Sequence, residues 1–172
     1  DNAQNLNAAQ GAGIQAARTD AVSWMDVDLA MPAGVIPQLL ARLNAGADIA
    51  VGSRYVPGGR DVGHSFMARA FSMTINLAAT LLLGRGVRDY TSGFVMSRRA
   101  VFDRLTLRGD YGEYCIDFLV RAQRLGYRVV EVPYTCGARM SGESKTGASF
   151  SDYIRRGRKY VTTILRLAAA RT

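Results

Sequence analysis

The chain has 172 residues, 48% hydrophobic and 21% charged, which supplies the apolar content for one sizeable core and excludes a chain too polar to fold. Its formal net charge of +8 is carried almost wholly by arginine, because Lys145 and Lys159 are the only lysines. That excess suits anionic partners (nucleotide diphosphates, lipid phosphates, an acidic membrane surface or nucleic acid), and the planar guanidinium fork tilts the choice toward phosphate.

In chain order, the pattern predicts an Ala-rich helix over 3–18, a strand over 21–26, and a helix over 32–44 that buries Val35, Ile36, Leu39, Leu40 and Leu43. A strand over 48–53 follows, then a loop at Pro57-Gly58-Gly59 and a long apolar helix over 65–83 that Gly84 and Gly86 stop. Next come a short strand over 94–97, an amphipathic helix over 112–125 closed by Gly126, and a strand over 128–132. A polar Gly/Ser loop over 140–147 and a basic helix over 151–169 complete the series. Alternating helices and strands indicate an α/β fold, without internal repeat or linker. No stretch reads as a signal peptide or a membrane span: a bilayer needs about 20 apolar residues, and 71–83 is short and interrupted by Ser72, Thr74, Asn76 and Thr80. The expectation is a soluble or peripheral protein.

Cys115 and Cys136 are far apart and lack metal-binding spacing, so they read as two reduced thiols. His64, the only histidine, excludes a multi-histidine metal site, argues against a histidine-dependent triad, and reads as a loop residue.

The apolar run at Trp24-Met25 ends in Asp26-Val27-Asp28-Leu29. On an extended chain, residues i and i+2 share a side, so Asp26 and Asp28 can both face a hard cation such as Mg²⁺ or Mn²⁺ or the diphosphate it carries. Alone, the pair is a weak signal, because two acids closing a strand are usually a solvated turn. It is followed in order by Gly52-Ser53-Arg54-Tyr55, Asp89-Tyr90-Thr91-Ser92-Gly93-Phe94, Glu131-Val132-Pro133 and Gly142-Glu143-Ser144-Lys145. From about Gly11 to Gly147, this series resembles the dolichol-phosphate mannosyltransferase group of the family 2 glycosyltransferases.

The resemblance implies a nucleotide-diphospho-sugar transferase fold of the GT-A, Rossmann-like type. The domain division is a partial catalytic domain over 1–150 and a basic amphipathic helix over 151–172. The family opens with two strands that precede the helix over 3–18, so the expectation is an N-terminally truncated or divergent short form. By resemblance, Asp26 and Asp28 bind metal; Asp26, Asp28 and Lys145 bind the donor; and Asp28 and Asp89 are the catalytic residues, with Asp89 orienting the acceptor or ions more than taking a proton. Arg54, Arg69, Ser72 and Arg139 bind the acceptor phosphate, and Arg139 and Lys145 lie on a loop that closes over phosphates. Asp117 matches an acidic family position, although an exposed helical acid is the competing reading. The chain departs from the family at Ala30, where a polar metal contact is expected, and at Val95, where an arginine is common.

The implied reaction moves a sugar, mannose first, from a nucleotide-diphospho-sugar such as GDP-mannose to a polyprenyl or dolichyl phosphate, with inversion. It would occur at the cytoplasmic membrane face, with or without a separate anchoring subunit. The terminal helix alternates Ile154, Val161, Ile164, Leu165 and Leu167 with Arg155, Arg156, Arg158, Lys159 and Arg166, a pattern that suits an anionic leaflet or packing on the protein's own core. Alternatives are a UDP-glucose or UDP-N-acetylglucosamine donor, a non-lipid acceptor, or a non-catalytic binder of lipid phosphate or a partner. Nucleic acid is disfavoured because the positive charge is not interleaved with an aromatic stacking platform.

Overall fold

The sequence Ile-Ala-Val-Gly-Ser over 49–53 offers no charge to solvate, and in the structure, a computed structural model, this strand is buried along its whole length. Residues 5–26, 28–109, 111–138 and 150–170 are described. In chain order the elements are α1 (Asn5–Ala16), β1 (Ala21–Trp24), α2 (Ile36–Asn44), β2 (Ile49–Ser53), β3 (Arg60–Asp61), α3 (Phe66–Leu83), β4 (Val95–Arg98), α4 (Glu113–Arg124), β5 (Val129–Pro133), β6 (Thr135–Cys136) and α5 (Phe150–Ala169). Short 3-10 turns lie at Ala33–Val35 and Arg99–Asp103.

The main sheet has the order β1-β4-β2-β5. β4 runs antiparallel to both its neighbours, whereas β2 and β5 are parallel. β3 and β6 form a separate two-stranded parallel pair. Alternation along β2 divides the core: Ile49 and Val51 join a cluster with residues of α3, α4 and α5, while Ala50 joins Leu39 and Leu43 of α2 on the other face. Helices therefore cover both faces of a sheet containing a parallel pair, which is the layering of a GT-A, Rossmann-like α/β fold.

Three expectations change. The strand over 21–26 stops at Trp24 because its partner β4 begins at Val95, opposite Trp24. The helix over 32–44 starts regularly only at Ile36, since Pro37 lacks an N–H and fits only the first turn; Leu40 is 41% exposed instead of buried. α3 at 18 residues is long and apolar enough by length and composition to cross a membrane, contrary to the reading of 71–83. Its polar residues do not interrupt the outer face, because Thr74 bonds the Ala70 carbonyl and Asn76 is buried.

α3 has two characters. Ile75, Asn76, Ala79 and Leu83 face the core, while Phe66, Met73, Leu77 and Leu81 are exposed. Over 157–169, α5 turns Ile164 and Leu167 into the protein's own core and leaves Val161 and Leu165 exposed. Gly157 permits a close approach of α5 to the Phe71 ring of α3, where a Cβ would lie 3.1 Å from the ring edge.

Candidate active site at the carboxyl edge of the sheet

Strand register brings the sequence motifs to one edge. Trp24 of β1 and Val51 of β2 both pair with Val95 of β4, and Ser53 of β2 pairs with Pro133 of β5. The segments that leave this edge are therefore 25–31, the chain from Arg54, the turn over 89–93 that enters antiparallel β4, and the chain from Tyr134. In α/β sheets, ligands bind at this edge.

Asp26 is exposed and Asp28 half-buried. They do not sit on a strand, as the i, i+2 argument requires, because β1 has already ended. Instead the chain turns: Asp28 Oδ1 accepts the Ala30 N–H at 3.0 Å, an Asx-type turn, and Leu29 is held at φ 62°. A branched residue in the left-handed region is strained, of the order of 1 kcal/mol. Met31 and Ala30 are buried beneath, and the Ala30 carbonyl accepts Gly137 N–H at 3.0 Å, which ties the acid turn to β6.

Arg54 and Asp89 form the centre of the edge. Asp89 is fully buried and Arg54 is 8% exposed. Arg54 donates from Nε to Asp89 Oδ2 and from Nη2 to Oδ1, both at 2.8 Å, and its backbone N–H adds a third bond at 3.0 Å. The same guanidinium reaches Thr91 Oγ1 at 2.9 Å, Asp61 Oδ2 at 3.3 Å and Ser72 Oγ at 3.4 Å, and lies 5.0 Å from the centre of the Tyr55 ring. Burial is the largest influence and opposes the Arg54 charge, but Asp89 outweighs it and holds the group well above its ordinary value.

Around this pair, α3 adds Asn76 and Thr80 to the expected Arg69 and Ser72. Arg69, Ser72, Asn76 and Thr80 recur at helical spacing on α3. Asn76 donates to Thr91 Oγ1 at 2.8 Å and accepts Tyr90 N–H at 2.7 Å, and Ser72 and Thr91 share a bond of 2.9 Å. Arg69 donates to the Asp61 carbonyl at 3.1 Å. Glu131 of β5 accepts the N–H groups of Arg88 and Asp89 at 2.9 and 3.0 Å, which fixes the turn. Arg54, Arg69, Ser72 and Asp89 thus belong to one network. Arg139 and Lys145 lie outside the described residues.

Asp117 is not an exposed helical acid. It is 2% exposed and pairs with Arg121 at 3.0 Å and Arg166 of α5 at 2.9 Å, joining α4 to α5.

His64 follows β3 in a loop but is engaged there. Its Nδ1 lies 2.9 Å from Asp61 Oδ1 and 3.9 Å from Cys136 Sγ. Its imidazole is pushed up to about 9, first by the bond to Asp61 and then by Cys136, against burial. Asp61 is held below the usual carboxylate range: burial, the largest influence, raises it, and His64 and Arg54 together outweigh burial. Sequence spacing hid this cluster because β3 and β6 bring Asp61 and Cys136 together across the chain.

Residues 1–106 match the profile described as glycosyl transferase family 2. The chain is 40% identical over 128 residues to the polyprenol monophosphomannose synthase of Mycolicibacterium smegmatis, covering 73% of this chain and 48% of that protein. It is 34% identical over 155 residues to the dolichol-phosphate mannosyltransferase of Pyrococcus furiosus (88% and 44%), and 36% identical over 131 residues to the undecaprenyl-phosphate mannosyltransferase of Micrococcus luteus (73% and 53%). The chain spans about half the length of these curated relatives. With its edge geometry, its ordered motifs and this match over most of its length, the chain belongs to glycosyl transferase family 2.

Proposed function

We propose that this chain carries the transfer of a sugar, mannose first, from a nucleotide-diphospho-sugar to a polyprenyl phosphate at a membrane surface. The observation that carries the reading is the arginine network at the sheet edge: Arg54, Arg69 and Ser72 beside the buried Asp89. The names of the relatives support lipid phosphate as acceptor and mannose as the sugar.

Asp26 and Asp28 are hard oxygen donors on a turn and fit Mg²⁺ or Mn²⁺ by donor chemistry. When bound, such an ion neutralises charge on the departing diphosphate. Ala30 supplies no side-chain ligand to it. Arg54, Arg69 and Ser72, with Arg139, hold the acceptor phosphate, and Lys145 holds the donor. Arg54 gives up its longest contacts, 3.3 Å to Asp61 and 3.4 Å to Ser72, most readily to an incoming phosphate, while Asp89 keeps the guanidinium aimed.

A phosphate monoester has a second pKa of about 6 and is mostly dianionic at neutral pH, so it attacks the anomeric carbon without a general base. The bond from that carbon to the diphosphate oxygen breaks as the new bond forms on the opposite face, which inverts the centre. Asp89, buried and doubly bonded to Arg54, orients and does not take a proton. Residues 1–150 carry this chemistry, and the exposed apolar face of α3 with the outer side of the basic terminal helix meets the leaflet, cytoplasmic in orientation.

The test is calorimetric binding of GDP-mannose, with UDP-glucose in parallel, in the presence and absence of Mn²⁺. The reading expects metal-dependent binding of GDP-mannose that weakens by roughly 100-fold in Asp28→Ala. Preference for UDP-glucose would move the donor assignment, and metal-independent binding would remove Asp26 and Asp28 from it.

A further inference from the structure

We infer that Asp61, His64 and Cys136 form a binding site for a borderline-soft divalent cation of the zinc type, apart from the acid pair at Asp26 and Asp28. The three residues come from three places, the end of β3, the loop after it and the end of β6, yet one ligand atom from each lies within 4.8 Å of the others. Asp61 and Cys136 are buried, at 9% and 2% exposure, and the His64 side chain is 32% exposed.

The geometry separates this cluster from a nucleophilic triad. A thiol activated by a histidine meets one ring nitrogen while the orienting carboxylate meets the other. Here Asp61 Oδ1 and Cys136 Sγ both approach Nδ1, at 2.9 and 3.9 Å, so three donor atoms converge instead of forming a relay. Convergent oxygen, nitrogen and sulfur donors select zinc or its chemical stand-in cobalt, whereas a thiolate is a poor ligand for Mg²⁺. Tetrahedral zinc at bonds of about 2.0–2.3 Å keeps donors about 3.3–3.8 Å apart. The cluster reaches that spacing by opening the Asp61–His64 contact slightly and drawing in the sulfur.

The backbone around the cluster is built tightly. The Cys136 carbonyl accepts the N–H groups of both Val62 and Gly63, at 3.0 and 3.1 Å. A Cβ at Gly63 would overlap the Gly137 carbonyl, so the two chain segments touch at the backbone. Both Asp61 oxygens face His64 Nδ1, Oδ1 at 2.9 Å and Oδ2 at 3.0 Å, and Oδ2 also accepts Arg54 Nη1 at 3.3 Å. The Arg54 charge opposes a cation here, but Asp89 neutralises that guanidinium, and Cys136 as thiolate adds a second negative charge beside Asp61. Coordination releases the Cys136 thiol proton and any proton on His64 Nδ1 to solvent. Three protein ligands leave a fourth position for water or a small anion.

The test titrates the chain with Co²⁺ in the absence of nucleotide and then with Zn²⁺, with circular dichroism to establish folding of every variant. The expected result is a near-ultraviolet thiolate-to-cobalt charge-transfer band of an intensity that corresponds to one Cys136-bound Co²⁺ per chain, displaced by Zn²⁺ but not by Mg²⁺. Cys136→Ser should abolish the band and His64→Ala should weaken affinity on the order of 100-fold. Cys115→Ser should leave both unchanged. Folded wild-type protein without the band, or a band that survives Cys136→Ser, would overturn the site.

Discussion

Arg54 and Asp89 are the residues on which most of the edge depends. A carboxylate with no exposure and a guanidinium at 8% cannot be left single cheaply, since removing one partner of a buried pair costs about 3–5 kcal/mol. Asp89→Asn and Arg54→Ala are therefore each expected to lower unfolding stability by about that amount in urea denaturation. Asp28→Ala, at a half-buried carboxylate that accepts the Ala30 N–H within its own turn, is expected to cost about 1 kcal/mol, less than either buried partner. Equal stability losses in the three variants would contradict this division between a buried frame and an outer acid turn. Gly63→Ala is a fourth substitution with a clear sign: its Cβ meets the Gly137 backbone, and a loss of roughly 2 kcal/mol or more is expected. At this scale the sequence order pointed to Arg54, Asp89, Arg69 and Ser72, but not to their bonding. A separation of 35 residues between Arg54 and Asp89 leaves no periodic signal.

At the scale of elements, α3 connects packing to the proposed surface. Its inward polar stripe, Arg69, Ser72 and Asn76, is bonded at the sheet edge, and its outward side exposes Phe66, Met73, Leu77 and Leu81 at 57–80%. Because the outer residues support little of the core, Met73→Asp with Leu77→Asp is expected to change stability by about 0.5 kcal/mol or less per site. The same double variant should lose sedimentation with anionic vesicles, as removal of apolar contact predicts. Unchanged vesicle binding would take α3 out of the membrane contact. The long elements were legible because apolar spacing persists over several turns or alternates on a strand. β3 and β6 were not, since two residues carry no period, and with them the Asp61, His64 and Cys136 cluster stayed hidden.

For the whole molecule, the sheet order β1-β4-β2-β5 gathers motifs scattered from Asp26 to Pro133 at one edge. The Rossmann-like class was readable from alternating helices and strands, and the family from the order of the motifs, over a chain matching about half the length of its curated relatives. The antiparallel placement of β4 between β1 and β2 was not readable, because pairing is decided by partners distant in sequence. The most direct test of the sugar-transfer account is incorporation of labelled mannose from GDP-mannose into detergent-solubilised polyprenyl phosphate with Mn²⁺, comparing the chain with Asp28→Ala. Metal-dependent labelled lipid, reduced by roughly 100-fold in the variant, is the predicted result. Folded protein that forms no labelled lipid, or forms it equally well in Asp28→Ala, would contradict the account.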